Sequence, residues 1–219
     1  FVVVRPFFGG DADDLVESFE RWEAFPPCEL DLDGAPIVPG LPVDMVLYFA
    51  RDITADENKV VQDKLSGILS LTAAESDWRK CFRDITLLGG NLTAYEDQYH
   101  TRMEEASWNR GPNVQFYKMV EYARDDFATD IFYYMEGDSI PLAYKWLDDL
   151  SNELESKRPI SVLGGRYTGH NWNPYPGDDI IAPSLRNHLN GNGVYDVSHN
   201  VLKHALNEYG RDGWAEEHH

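Results

Sequence analysis

Two carboxylates on either side of a glycine, Glu136-Gly137-Asp138, are the residues of this chain best spaced for chemistry. They follow the unbroken apolar and aromatic run from Ile131 to Met135, the pattern of a strand covered on both faces. Acidic oxygens at the carboxyl end of an internal strand stand where an open α/β sheet binds its ligands. Donors of this kind suit Mg²⁺ or Mn²⁺ carrying a phosphate group. The competing reading is a helix cap or a solvated turn, which the same residue types also make. Pro141 and the spacing Leu142, Trp146, Leu147, Leu150 predict an amphipathic helix restarting directly after the turn.

A phosphorylated ligand on an acidic chain needs local cations or amides as well. Arg5 and Arg51 fall near the ends of two predicted strands, and Asn113 and Lys118 in the opening turns of a predicted helix. A diphosphate or a base can be met from those places; the alternative is ordinary surface residues. In the second half of the chain, His170 to Asp179 is a loop dense in aromatic, amide and carboxylate groups, Trp172 among them. Sugars are held by aromatic platforms with such partners, so this loop is read as an acceptor loop, against the alternative of a plain proline-rich connection. His188 to Tyr195 alternates Asn and Gly, and Asn190, Gly191 and Asn192 can bring a strand end close to a ligand.

The elements that must position these groups alternate strand and helix. A Val- and Phe-rich strand over 1–8 ends at Gly9-Gly10, and Asp11 or Asp13 can cap a helix over 14–22. A second strand over 43–49 completes a βαβ unit. Helix over 56–70, a short turn over 77–82 and a strand over 85–88 follow, then a polar segment over 95–110 that reads as a loop above a site. Gly111-Pro112-Asn113 opens the next helix. A short strand over 160–165 and a last helix over 201–209, capped by Ser198, close the pattern. The expected class is α/β, with a mixed, mostly parallel sheet flanked by helices.

Composition narrows the function. The 219 residues suffice for one sizeable core, and 19 Lys plus Arg against 38 Asp plus Glu leave a formal charge of -19. Such a field repels polyanions and argues against nucleic acid as a partner. Cys28 and Cys81 are the only cysteines, which excludes a Cys-rich zinc site. One bridge or two separate buried thiols remain, and separate thiols are the expectation. No apolar run reaches the ~18 residues of a membrane span. The chain opens within a strand, as a domain of a longer polypeptide does, and His218-His219 fits the stub of a tag. Cytoplasm and Golgi lumen both stay open. Asn91-Leu92-Thr93 fits a glycosylation acceptor, which matters only in a secreted protein. The P-loop, the Gly-x-Gly-x-x-Gly fingerprint, the Gly-x-Ser-x-Gly elbow and His-Glu-x-x-His are all missing.

The run Phe132-Tyr133-Tyr134-Met135-Glu136-Gly137-Asp138-Ser139-Ile140-Pro141, followed by Trp146-Leu147, resembles the strand, Asp-x-Asp-type metal motif and helix of GT-A fold nucleotide-sugar glycosyltransferases. Glu136 stands where the first Asp is expected, and a longer oxygen ligand can still reach a metal directly or through water. Gly164-Gly165-Arg166 and His188 to Tyr195 are similar to acceptor-side strands of glycosyltransferase domains from algae and large algal viruses. The resemblance implies a single GT-A (Rossmann-like) domain over 1–219, its donor-nucleotide half spanning about 1–140 and its acceptor half about 141–215.

It further implies a hexosyl- or pentosyltransferase moving a sugar from a UDP-sugar to a glycan or other hydroxyl acceptor with Mn²⁺ or Mg²⁺. On that reading Asp138 coordinates the metal and Glu136 assists through metal or ribose. Arg5, Pro6, Phe7, Arg51, Asn113, Lys118 and Gly137 line the nucleotide; Gly164, Gly165, Trp172, Asn190, Gly191 and Asn192 meet the acceptor. A histidine from the C-terminal half, His188, His199 or His204, would add a ligand. Asp178 or Asp179 would be the base of an inverting enzyme. Two alternatives stand beside it. A sugar-1-phosphate nucleotidyltransferase would show a basic Gly-rich loop, and Arg5-Pro6-Phe7-Phe8-Gly9-Gly10 lacks its lysine. A non-catalytic carbohydrate-binding module would need only the aromatic loop.

Overall fold

The computed structural model of the protein describes residues 1–72, 75–98, 110–166 and 189–209. Its main elements in chain order are β1 (Val2–Phe7), α1 (Ala12–Ala24), β2 (Val43–Phe49), α2 (Lys59–Ser70), β3 (Phe82–Gly89) and α3 (Arg110–Asp126). They continue as β4 (Ile131–Tyr134), α4 (Trp146–Lys157), β5 (Val162–Arg166), β6 (Leu189–Asp196) and α5 (Asn200–Tyr209).

The six strands form one sheet in the order β3-β2-β1-β4-β6-β5. β1, β2, β3 and β4 run parallel, β6 runs antiparallel to β4, and β5 antiparallel to β6. A mixed, mostly parallel sheet flanked by helices is therefore the architecture, as the alternation of strand and helix patterns predicts. β1 is buried at every position, because parallel strands at the centre of such a sheet are covered on both faces. Its side chains alternate between two cores. Val3 and Phe7 join Leu15, Phe19 and Trp22 of α1, with Met45 and Leu47 of β2 on the same face. Val2 and Val4 join Phe132 and Tyr134 of β4, Met119 and Val120 of α3 and Leu202 of α5 on the other. Leu15, Phe19 and Trp22 recur at helical spacing, and that stripe docks α1 on the sheet.

Three expectations are corrected. The helix after the acidic turn starts at Trp146 rather than near Pro141, and Leu142 is 88% exposed. The cause is tertiary: the Lys145 and Leu147 amides donate to the Pro26 and Pro27 carbonyls, and Asp148 accepts from the Glu29 amide, so α4 begins where loop 26–29 holds it. Ser198 does not cap α5; its hydroxyl and amide bond to Asp196, while the Val201 amide donates to His199 Nδ1. The cysteines are not separate thiols. Cys28 and Cys81 are joined in a disulfide with Cα atoms 5.8 Å apart, both buried in the core on the α1 face.

That bridge ties loop 26–29, and through it the start of α4, to the segment entering β3, across a sequence separation of 53. Closing a loop of that size in the unfolded chain is worth roughly 2–4 kcal/mol. The double variant Cys28→Ala/Cys81→Ala is expected to lose that much unfolding free energy in urea titration, and a loss below about 1 kcal/mol would contradict the assignment.

Candidate functional site

From β1 the chain moves outward to β2 and β3 on one side, then returns to the other side of β1 as β4. The carboxyl ends of β1 and β4 therefore flank the point where the strand order reverses, the crevice in which open α/β sheets bind ligands. Glu136-Gly137-Asp138 leaves β4 at that point. The Met135 amide donates to the Val4 carbonyl at 2.8 Å, which carries the β1–β4 pairing up to the turn. Gly137 then presses on the end of β1: a Cβ there would sit 3.0 Å from the Pro6 carbonyl oxygen and 3.4 Å from Phe7 Cβ. A side chain here would crowd the end of β1. Pro6 and Phe7 thus meet Gly137 directly.

Arg5 lies underneath. The period of β1 places it between Val3 and Phe7 on the α1 side, and it has no exposed surface. One Nη2 donates to the Gly137 carbonyl at 2.7 Å and to Ser18 Oγ at 3.1 Å. The guanidinium carbon stands 5.5 Å from the ring centres of both Phe19 and Trp22. Nε and Nη1 have no hydrogen-bond partner among the described residues. Burial lowers the Arg5 pKa to about 10, opposed by the nearby Tyr133 and Asp138, so the group stays cationic at neutral pH. The alternative of an ordinary surface arginine does not hold for Arg5, and with no exposed surface it does not face a nucleotide directly; it is a buried cation holding the acidic turn from below.

Asn192 holds the turn from the side. β6 runs antiparallel to β4 and pairs Gly193 with Tyr134, so the residue before Gly193 arrives beside the end of β4. Asn192 Oδ1 accepts the Glu136 amide at 2.9 Å and the Ser139 hydroxyl at 2.8 Å, and its Nδ2 donates to Glu136 Oε2 at 3.4 Å. Gly193 has to be small here, because a Cβ would be 3.2 Å from the Tyr195 ring.

The carboxylates above these supports repel one another. Glu136 is half-buried, and its pKa is raised by burial first and by Asp138 second. Asp138 is exposed. Asp11, at the start of α1, is pushed up to about 6 by burial, with Asp138 and Asp14 adding to the rise and the Phe8 backbone opposing it. Tyr195 is driven up to about 12 by burial and then by Glu136. The turn is a focus of negative charge. Among the described residues no three His, Cys, Asp or Glu side chains converge as a closed metal cage. Two carboxylates fit a hard cation that takes its remaining oxygens from phosphate and water.

Other expected residues have different fates. Arg51 Nε donates to Asp97 Oδ2, and Lys118 Nζ donates to the Asn91 carbonyl at 3.1 Å and to Glu96 at 3.4 Å. Both cations are engaged with segment 91–97 at the carboxyl end of β2 and β3. Asn113 lies in the first turns of α3, partly buried. Gly164 and Gly165 are exposed on β5, the edge strand, and Asn190 and Gly191 belong to β6. His199 and His204 sit at and within α5, on the opposite face of the sheet from Arg5. Asp178, Asp179, Trp172 and His188 lie outside the described residues, as does most of the predicted loop over 95–110.

Two contributors escaped the sequence reading. Gln115 is buried on the apolar stripe it shares with Met119 and Ala123, and its Nε2 bridges the Phe7 and Tyr48 carbonyls at 3.1 and 2.9 Å. A lone amide on an apolar stripe was the available signal. The sequence pattern predicts only a cap at Asp11, because its place beside Asp138 depends on the β1–β4 pairing. Next to the turn a hollow of about 300 Å³ is lined by Tyr133, Met135, Ser139, Ile140, Trp146 and Asn192. The Trp146 Nε1 is buried with no partner among the described residues. A larger hollow of about 580 Å³ lies on the α2–β3 flank and has no aromatic lining, whereas the smaller one has Tyr133 and Trp146. No protein-family profile and no curated protein matches the chain.

Two predictions follow from this geometry. Asn192→Ala leaves the Glu136 amide and the Ser139 hydroxyl without their acceptor and is expected to cost about 1–3 kcal/mol. Asn192→Asp keeps the acceptor but sets a carboxylate against Glu136, so its cost should grow as rising pH ionises the pair, while that of the alanine variant changes less in urea titrations. For Asp11, the folded state holds a proton more tightly than the unfolded chain, so stability falls as pH rises from about 4 to the folded value of about 6 and stays lowered above it. Asp11→Asn removes the charge. It should be more stable than the parent near pH 7, with the difference closing near pH 4; an unchanged gap across that range would exclude the assignment.

Proposed function

We propose that this chain is a metal-dependent GT-A type glycosyltransferase domain that moves a sugar from a UDP-sugar to a glycan or other hydroxyl acceptor. The observation that carries the reading is the position of Glu136-Gly137-Asp138 at the switch point between β1 and β4, supported from beneath by Arg5 and from the side by Asn192. A bound Mn²⁺ or Mg²⁺ would neutralise the diphosphate leaving group as the glycosidic bond breaks. Asp138, exposed at the rim, and the half-buried Glu136 would hold it.

The chain's own residues then supply orientation. Asn192 restrains the turn at both sides of the acidic pair, through the Glu136 amide and the Ser139 hydroxyl. Arg5, bonded to the Gly137 carbonyl, fixes the turn between them and places a positive charge under their field. Tyr133 and Trp146 offer aromatic faces in the hollow beside the turn, with Ser139 and Asn192 as polar partners, a combination suited to a sugar ring. The α2–β3 hollow has no aromatic lining and offers no such pairing.

Calorimetric titration of UDP and of UDP-sugars tests the reading, with and without Mn²⁺. Binding is expected only with the metal, and Asp138→Ala should weaken it by at least about tenfold, or about 1.4 kcal/mol. UDP that fails to bind under any metal condition would overturn the proposal. Glycan binding without nucleotide or metal would instead favour a carbohydrate-binding module.

A further inference from the structure

We propose that Asn91 is an N-glycan acceptor and that the chain matures in an oxidising secretory lumen. This rests on features separate from the acidic turn. Asn91-Leu92-Thr93 is the single Asn-x-Ser/Thr triplet in the 219 residues. On sequence alone it has no weight without a compartment in which it can be modified. The disulfide supplies that compartment: Cys28 and Cys81, the only cysteines, are paired, and such bonds persist where thiols are not kept reduced.

The fold presents the triplet outward on a fixed base. After β3 the chain is pinned to the end of β2, the Gly90 amide donating to the Phe49 carbonyl at 2.7 Å and the Leu92 amide to the Ala50 carbonyl at 2.9 Å. The Leu92 side chain is buried, which turns its neighbours Asn91 and Thr93 to solvent. Asn91 adopts φ 53°, the left-handed region that asparagine tolerates better than most residues. Lys118 secures the Asn91 carbonyl from α3, and Asn91 itself is exposed. An attached oligosaccharide would therefore stand on the outer flank of the sheet, beyond β2 and β3. The acidic turn follows β4, three places along from β3 in the sheet order.

In the reaction, the Asn91 Nδ2 bonds to the anomeric carbon of a lipid-linked oligosaccharide. The lipid diphosphate departs with the electron pair of the broken bond, and one amide proton is lost. The Thr93 hydroxyl completes the triplet in the extended chain before folding. In the folded protein it accepts the Glu96 amide at 3.3 Å while Glu96 accepts the Thr93 amide at 2.8 Å. That reciprocal pair matters only after the sugar is in place.

The test uses the full-length protein isolated from the cells that make it, alkylated without reduction and digested with and without peptide-N-glycosidase. The Asn91 peptide is expected to appear only after the glycosidase, carrying Asp at that position, with Cys28 and Cys81 in one bridged peptide. An unmodified Asn91 peptide in full yield, or alkylated Cys28 and Cys81, overturns the proposal. Expression through a eukaryotic secretory pathway adds a second arm. Asn91→Gln should lose one glycan step in gel mobility, and Thr93→Ser should keep it; a step retained by Asn91→Gln also overturns the assignment.

Discussion

The structure depends on a guanidinium set in its interior. Taking a cation fully out of water costs several kcal/mol even after relaxation, and only good partners offset it. Arg5 has the Gly137 carbonyl, the Ser18 hydroxyl and the faces of Phe19 and Trp22, together with the fields of Tyr133 and Asp138. Those partners come from three places: Ser18, Phe19 and Trp22 from α1, Tyr133 from β4, Gly137 and Asp138 from the turn. Retaining the charge therefore obliges β1, α1 and the acidic turn to stay in register. Trp22 extends the same unit outward, its ring centre 5.3 Å from both Trp78 and Trp146, so the entry to β3 and the start of α4 pack on the arginine's own neighbours. The disulfide links the entry to β3 covalently to loop 26–29, whose carbonyls hold the start of α4.

Against this base, the sheet concentrates negative charge at one spot. Parallel strands all point their carboxyl ends the same way, so β1 and β4 deliver Asp11, Glu136 and Asp138 to one end of the molecule. The antiparallel β6 performs the complementary task. Because it runs the other way, its early residues reach the end of β4, and Asn192 can bond the Glu136 backbone. A purely parallel sheet would have put that amide at the opposite end. The one reversed pairing is what turns an acidic loop into a restrained one.

Much of the fold was legible from periodicity. The wholly apolar run Val2 to Val4, the stripe Leu15, Phe19, Trp22 and the strand 43–49 need only burial of matching faces, a local property of the sequence. The start of α4 was misjudged because Pro141 and Leu142 satisfy the helical pattern while backbone bonds to Pro26 and Pro27 hold the chain out of it until Trp146. Ser198 was misread because its hydroxyl had a nearer acceptor in Asp196. Arg51 and Lys118, legible as cations near strand and helix ends, are engaged by Asp97 and Glu96, acids that lie far from them in sequence.

By itself the sequence determined the alternation of strand and helix, the acidic turn after a buried strand, the excess of negative charge and the single glycosylation triplet. These follow from residue type and short-range spacing. Tertiary structure alone decided that Arg5 is buried, that Cys28 meets Cys81, that Gln115 clasps two strand ends and that Asn192 grips Glu136. Each joins residues between 13 and 132 positions apart, or two segments 53 apart, and such partners are chosen by strand order. A desolvated charge or amide must find a partner wherever the packing leaves one, and no local pattern encodes where that is.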